Sequence, residues 1–212
     1  MRRQALMRDQ TIGDFLDTLA DRIPAPGGGA SAALHAAQAA ALLGMVARYS
    51  TGDKYAEHAA TVQRVIEGTD RLRETALRLA EQDAAAFTAV TDAYRLPRST
   101  AEEKTARSAA IAAALAAAAE PPAQVLAASL AAVEYAEELL PIANRNVITD
   151  VAAATEAARA AATTARINVE INLTGIKDPA VRADLTARAA VTDGIVTRAD
   201  QVTTAVRKEI NR

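Results

Sequence analysis

The sequence contains no cysteine and no tryptophan, and its only aromatic residues are two phenylalanines and four tyrosines. Without cysteine the chain cannot be a disulfide-stabilised scaffold or bind zinc through thiolates. Strands favour aromatic and β-branched residues, so an aromatic content of 3% argues against a β-rich fold. The net charge of −2 argues weakly against a nucleic-acid-binding protein, which usually carries a basic surplus.

Alanine is the residue that the sequence has in abundance, at 56 of 212 positions. Alanine is the best helix former, and its small side chain lets facing helices approach closely. With 50% apolar residues the chain is long enough to bury a core. We therefore expect an all-α protein with a single domain over residues 1–212.

Two segments are relevant to where in the cell the protein is expected to be located. Arg2 and Arg3 at the start of the sequence are not followed by an apolar stretch, so they do not predict a secretory signal. Residues 30–47 are long enough to span a membrane, but they are mostly alanine and include His35 and Gln38, which favours a buried core helix. We expect a cytoplasmic protein that binds neither membranes nor nucleic acid.

The spacing of apolar residues, together with proline and glycine positions, predicts an up-and-down bundle of five to six long helices. Helices are predicted to begin at Thr11, Thr100 and Asp178. The pair Pro121 and Pro122 is predicted to interrupt the helix that begins at Thr100. The apolar stripe of the third helix is longer than one bundle needs to bury, which favours a homodimer. The predicted helices cover residues 11–22, 30–49, 53–96, 100–120, a further segment to 140, 147–175 and 178–210.

Asp83 interrupts the apolar stripe of the third predicted helix, between Leu79 and Phe87. A carboxylate is costly to bury unless it is paired or protonated. Burial raises the pKa of a carboxyl group towards neutrality, which suits a general acid or base. From its position alone, an Asp83 that bonds to a facing helix for purely structural reasons is the more common case.

Several other residues are candidates for ligand binding, each with a structural alternative. A glycine-rich turn before the second helix leaves N–H groups free to hold an anion, or is only a turn. Two side-chain amides one helical turn apart could form hydrogen bonds with a heterocyclic ligand, or they could form a pair that joins two helices. The polar residues at the start of the fifth helix could simply cap it. Lys54 could meet an anion or be a solvated lysine. These candidates are Gly27, Gly28, Gly29, Lys54, Asn144, Asn146, Asp150, Asn168 and Asn172.

The sequence predicts no metal site and no catalytic triad. His35 and His58 are isolated from a second histidine or carboxylate at metal-ligand spacing. No Ser-His-Asp signature is present.

A set of short segments carries a family pattern, in which each segment is weak alone and the set is specific. The segments are residues 24–33, 44–46, 52–55, 83–87, 96–97, 144–150, 168–173 and 176–178. In this order they resemble the formiminotransferase-cyclodeaminase C-terminal family, also known as the cyclodeaminase/cyclohydrolase family. The resemblance extends from Thr11 to the last helix.

The resemblance implies an all-helical dimer that acts on one-carbon tetrahydrofolates without a redox cofactor or metal. One activity hydrates 5,10-methenyl-tetrahydrofolate to 10-formyl-tetrahydrofolate; another releases ammonia from 5-formimino-tetrahydrofolate. It also implies that Asp83 is the acid/base carboxylate and that the nine candidates above orient the folate. With no formiminotransferase domain in the chain, we expect the cyclohydrolase activity first. The alternatives are a cyclodeaminase, an enzyme of the same fold acting on another imine or amidine, and a non-catalytic helical scaffold.

Overall fold

Seven α-helices make up most of residues 6–211, the part of the chain that the computed structural model describes. Five of the seven have 19 residues or more, and no strand occurs within these residues, so the predicted all-α fold is confirmed. The helices are α1 (Ile12–Ala20), α2 (Gly28–Arg48), α3 (Ala59–Arg95), α4 (Ala101–Leu139), α5 (Ile148–Leu173), α6 (Pro179–Ala190) and α7 (Thr192–Ile210).

Helix α2 lies at the centre of the bundle and packs against α3, α4 and α5. Most of its buried positions are alanines, including Ala33, Ala36 and Ala40, none of which is accessible to solvent. Such small side chains allow helix axes to lie at the short end of the usual 8–10 Å range. The same packing buries alanines on α5, among them Ala154 and Ala158. Larger residues such as Leu43 and Leu126 fill the spaces between the helices.

Two helices, α2 and α4, are long and apolar enough to cross a membrane by length and composition. In α2, 61% of the most apolar 18-residue stretch is buried inside the bundle, and in α4 the corresponding share is 39%. Core helices of water-soluble bundles pass the same length and composition test. The burial of α2 agrees with its interpretation as a core helix.

The predicted helix starts are confirmed at three places. The Thr11 side chain accepts a hydrogen bond from the Asp14 N–H at 3.0 Å. Thr100 forms a capping box with Glu103 at the start of α4. Asp178 caps α6, with Pro179 in the first turn. Each cap satisfies N–H groups that the helix itself leaves without acceptors.

The predicted interruption at Pro121 and Pro122 is wrong, because α4 runs without a break from Ala101 to Leu139. Both prolines are buried among neighbouring helices, which hold the segment in helical geometry. A proline lacks the N–H that would bond to the carbonyl four residues earlier. The two prolines therefore leave the carbonyls of Ala117 and Ala118 without their usual helical donors.

Two other helix boundaries differ from the prediction. The segment predicted to begin a helix at residue 53 is a 3-10 helix, Asp53–His58, which follows Gly52 with its φ of 92°. The last predicted helix is divided into α6 and α7. At the division, the buried Thr192 hydroxyl donates to the Ala189 carbonyl at 2.8 Å and so competes with the helical hydrogen-bond pattern.

Candidate active site

A cavity of about 520 Å³ lies where the start of α2 meets the second half of α3, the middle of α4 and the end of α5. Its volume is in the range of small-molecule sites. Six of the ten predicted site residues line it together, although they come from three separate parts of the sequence. They are Gly27, Gly28, Gly29, Asp83, Asn168 and Asn172.

The Asp83 carboxylate is directed from α3 towards the first turn of α2. Burial raises the pKa of this carboxyl group, and a hydrogen bond from the backbone N–H of Ala30 partly opposes the rise. No side-chain cation within residues 6–211 contributes to the pKa shift of Asp83. A raised pKa makes this carboxylate a better proton acceptor than an exposed one, and general acid–base catalysis requires a group that accepts a proton and gives it back.

Gly29 is the residue that allows Asp83 to reach the helix. A methyl group added at Gly29 would overlap the carboxylate carbon and both carboxylate oxygens of Asp83. By contrast, a methyl group at Gly27 would meet no atom within 4 Å. Of the three consecutive glycines that line the cavity, Gly29 in the first turn of α2 is therefore the one where a side chain would displace Asp83.

The amides of Asn168 and Asn172 both donate to main-chain carbonyls of their own helix. Asn168 Nδ2 donates to the Thr164 carbonyl at 2.9 Å, and Asn172 Nδ2 donates to the Asn168 carbonyl at 2.8 Å. Asn172 Nδ2 also lies 3.4 Å from the Ala118 carbonyl, which Pro122 leaves free of its helical partner. An amide nitrogen carries two N–H groups, so both are engaged in Asn172 and one is engaged in Asn168. The oxygens of the two amides remain as acceptors for a ligand in the cavity.

Apolar residues complete the cavity wall, and the sequence prediction did not include them among the site residues. Phe87, Val90 and Tyr94 follow Asp83 at positions i+4, i+7 and i+11 along α3, and Leu115 and Ile171 come from α4 and α5. The spacing on α3 was visible in the sequence and could have identified these residues once Asp83 was selected. The residues of α4 and α5 could not be found without knowledge of how the helices pack.

The other four predicted residues lie outside this cavity, near the opposite end of α2, and their role in substrate binding stays a prediction. Helix α2 has 21 residues, so its ends are about 30 Å apart. Lys54 Nζ lies 5.4 Å from the centroid of the Tyr55 ring. Asn144 donates to the Tyr49 carbonyl and accepts from the Asn146 N–H. Asp150 lies in the first turn of α5.

Within residues 6–211, no group of three or more His, Asp or Glu side chains is placed to hold a metal ion. His35 faces a groove between α1 and α2, and His58 contacts the neighbouring Glu57 at 3.1 Å.

Comparison with known proteins places these features in one family. Residues 11–191 match the formiminotransferase-cyclodeaminase family model. The chain is 38% identical over 173 residues to methenyltetrahydrofolate cyclohydrolase of Methylorubrum extorquens, covering 81% of this chain and 83% of that protein. It is 34% identical over 176 residues to pig formimidoyltransferase-cyclodeaminase, covering 82% of this chain and 32% of that protein.

A solved structure shows the same fold. The formiminotetrahydrofolate cyclodeaminase of Thermotoga maritima superposes with a TM-score of 0.85 at 27% identity, covering 96% of this chain and 98% of that one. Together with the family match over residues 11–191, this likeness confirms the resemblance carried by the short sequence segments. The chain belongs to the formiminotransferase-cyclodeaminase family.

Proposed function

We propose that this protein is a methenyltetrahydrofolate cyclohydrolase, which hydrolyses 5,10-methenyl-tetrahydrofolate to 10-formyl-tetrahydrofolate. The observation that carries the proposal is the partly buried Asp83 carboxylate, held against Gly29 in a cavity of substrate size. The similarity to the Methylorubrum extorquens cyclohydrolase over most of both chains supports this substrate.

Asp83 would serve first as a base and then as an acid. The methenyl substrate carries a positive charge spread over N5, the bridging carbon and N10, which an anionic Asp83 stabilises. Water attacks the bridging carbon and gives a proton to the carboxylate. The C–N5 bond then breaks, its electron pair goes to N5, and Asp83 protonates N5. The remaining hydroxyl loses its proton to solvent, so one water is consumed and one proton released.

The amide oxygens of Asn168 and Asn172 would recognise the pterin ring. Asn172 Nδ2 donates to two main-chain carbonyls and Asn168 Nδ2 to one, so both amide oxygens remain to accept hydrogen bonds from ligand donors, and Asn168 keeps one N–H of its own. The amino group and ring N–H groups of a reduced pterin are such donors. This pairing sets the reacting bridge beside Asp83, since all three residues line one cavity. The hydration transfers no electrons and therefore calls for no redox cofactor.

A second candidate is formimidoyltetrahydrofolate cyclodeaminase. The Thermotoga maritima structure, which this chain matches over 96% of its length, carries that activity in its name. Here Asp83 would protonate the departing amine as N10 closes on the formimino carbon. The same cavity accommodates both reactions, because both pass through a tetrahedral carbon bonded to N5 and N10.

We further propose that the protein acts as a homodimer. Helix α1 has an apolar face but buries none of its residues in the chain, and Ile12 and Leu16 are 81% and 53% exposed. A groove of about 470 Å³ separates this face from Leu34 and neighbouring residues of α2. A second copy of the chain would bury these surfaces, which are otherwise costly to expose.

One pair of assays tests the proposed activity. Loss of the methenyl-tetrahydrofolate chromophore and release of ammonia from 5-formimino-tetrahydrofolate are followed with the same enzyme preparation. We expect rapid enzymatic loss of the chromophore. Ammonia release without chromophore loss would instead support the cyclodeaminase. If neither activity is detected and titration shows no folate binding, the remaining candidates are an enzyme with a non-folate substrate and a non-catalytic scaffold.

A further inference from the structure

The wall that α3 contributes to the cavity extends well beyond Asp83. Asp83, Phe87, Val90 and Tyr94 lie on one face of α3 and all line the cavity. At 1.5 Å per residue, Tyr94 lies about 16 Å along the helix from Asp83. The cavity thus has a distal end, more than two helical turns from the reacting group.

Two of the six aromatic residues in the chain lie along this distal wall with much of their surface accessible. Phe87 is 49% exposed and Tyr94 is 52% exposed. From α5, Ile171 lines the same cavity at 65% exposure. Exposed rings that line a cavity are suited to hold a flat aromatic group of a ligand by stacking.

Arg107 of α4 places a cation against Tyr94, the lining residue of α3 that is farthest from Asp83. Its guanidinium carbon lies 5.6 Å from the centroid of the Tyr94 ring, and its Nε and Nη2 donate to the Tyr94 carbonyl at 3.3 and 3.0 Å. Stacking and two hydrogen bonds fix the orientation of the guanidinium. Arg95, next to Tyr94, is engaged with Asp92 at 3.0 Å. No acidic side chain among residues 6–211 forms an ion pair with Arg107, so its Nη1 remains available for a ligand anion.

The cavity therefore has a carboxylate near one end and aromatic rings along one wall, and an arginine lies against the last of these rings, Tyr94. This order matches a ligand with a cationic centre, then an aromatic ring, then an anionic tail. Building on the function proposed above, we propose that Phe87 and Tyr94 bind the aminobenzoyl ring of the folate. Arg107 then binds a carboxylate of its glutamate tail. Arg107 is thereby a specificity-determining residue that takes no part in the proton transfers.

The test compares two substrates that differ only in the tail. One is 5,10-methenyl-tetrahydrofolate, and the other is the same compound ending in a neutral benzamide without glutamate. For Arg107→Gln we expect KM for the glutamate compound to rise about tenfold, since a charge-assisted hydrogen bond is lost. We expect kcat to stay within about twofold, and KM for the benzamide compound to be unchanged. Arg107→Lys should recover part of the discrimination, because it keeps the charge but not the fork geometry.

Lys104→Gln is the matched control, because Lys104 is exposed on the same helix and the charge change is the same. Equal discrimination between the two compounds by Arg107→Gln and Lys104→Gln would overturn the proposal. So would a loss of discrimination in Lys54→Gln with none in Arg107→Gln. If Arg107 had only a structural role, Arg107→Gln would raise KM for both compounds by the same factor, and that result would also overturn the proposal.

Calorimetric titration of both compounds into the unmodified protein separates this inference from the proposed activity. Binding of both without turnover would overturn the cyclohydrolase proposal, and the effect of Arg107→Gln on the ratio of the two affinities would still decide the role of Arg107. Binding of neither compound would overturn both.

Discussion

At the scale of a single residue, the ionisation of Asp83 links the proposed catalysis to the stability of the fold. Burial raises the pKa of this carboxyl group in the folded protein above its value in the unfolded chain. Ionisation of Asp83 therefore costs folding free energy, and the cost grows as pH rises from the unfolded pKa through the folded pKa. A protein that keeps such a group gives up stability for function, as active sites commonly do.

For this reason we expect Asp83→Asn to be more stable than the unmodified protein at neutral pH. The gain should be about 1 kcal/mol, or a few degrees in Tm, and it should vanish in acid, where Asp83 is neutral in both folded and unfolded states. Thermal unfolding across a pH series measures the difference. Asp92→Asn, at an exposed position on the same helix, should show no comparable gain. A gain that is independent of pH would contradict the linkage.

Gly29 shows how much of a site a single missing side chain can determine. The sequence predicted a glycine-rich turn beside a possible anion site, but not that Asp83 would occupy the space above Gly29. The apolar stripe identified Asp83, because alanine and aliphatic residues surround it. The partner of Asp83 depends on the packing of α2 against α3, which the spacing of residues within either helix does not reveal.

We expect Gly29→Ala to lower kcat/KM by about 100-fold or more, because the added methyl group displaces the Asp83 carboxylate, the proposed general acid–base group. The free energy of unfolding should fall by about 1–3 kcal/mol from overpacking. Steady-state kinetics and urea denaturation measure the two effects. The control is Gly194→Ala, also in the first turn of a helix, where a methyl group meets no atom within 4 Å. Comparable activity in the two variants would contradict the assigned contact.

At the scale of the element, α4 shows where local sequence rules fail. Two adjacent prolines predicted an interruption, but tertiary packing holds the helix in one piece. The cost of the prolines is two carbonyls without helical donors. One of them, on Ala118, lies in the cavity wall within 3.4 Å of Asn172 Nδ2. The two prolines, which predicted a break in the helix, instead leave a carbonyl that contacts an amide proposed to bind the substrate.

Replacing Pro122 tests this contribution. In Pro122→Ala the restored N–H can bond to the Ala118 carbonyl and compete with Asn172. We expect KM to rise several-fold through the loss of one positioning hydrogen bond, with the helix content by circular dichroism unchanged. Pro121→Ala is the control, because the carbonyl it would engage belongs to Ala117, which is not among the cavity-lining residues. An equal change in KM for the two variants would show that the Ala118 carbonyl has no special role.

At the scale of the whole molecule, composition was enough to predict the bundle and not enough to predict which of its ends hold the site. Alanine content and helical spacing established the all-α fold. They could not show that Asn168 would line the same cavity as Gly28, whereas Asn144 and Lys54 lie near the other end of α2, a helix about 30 Å long. Such placement follows from helix directions and packing over the whole bundle.

The exposed apolar face of α1 leads to a prediction about assembly. We expect the protein to have twice the mass of one chain in light scattering coupled to gel filtration. Leu16→Asp should shift it towards the single-chain mass, because a charge would be buried in the interface. Ile210→Asp, at a comparably exposed apolar position at the end of α7, should leave the mass unchanged. A single-chain mass for the unmodified protein would contradict the proposed dimer.

The most direct test of the central claim is the rate of methenyl-tetrahydrofolate hydrolysis by Asp83→Asn, with its fold verified by thermal unfolding. Asparagine keeps the size of the side chain and an acceptor for the Ala30 N–H, but it cannot take a proton from water. We predict that kcat falls by about 100-fold or more, the loss expected for a general acid–base group. A folded Asp83→Asn protein that retains kcat within a few-fold of the unmodified enzyme would contradict the assignment of Asp83.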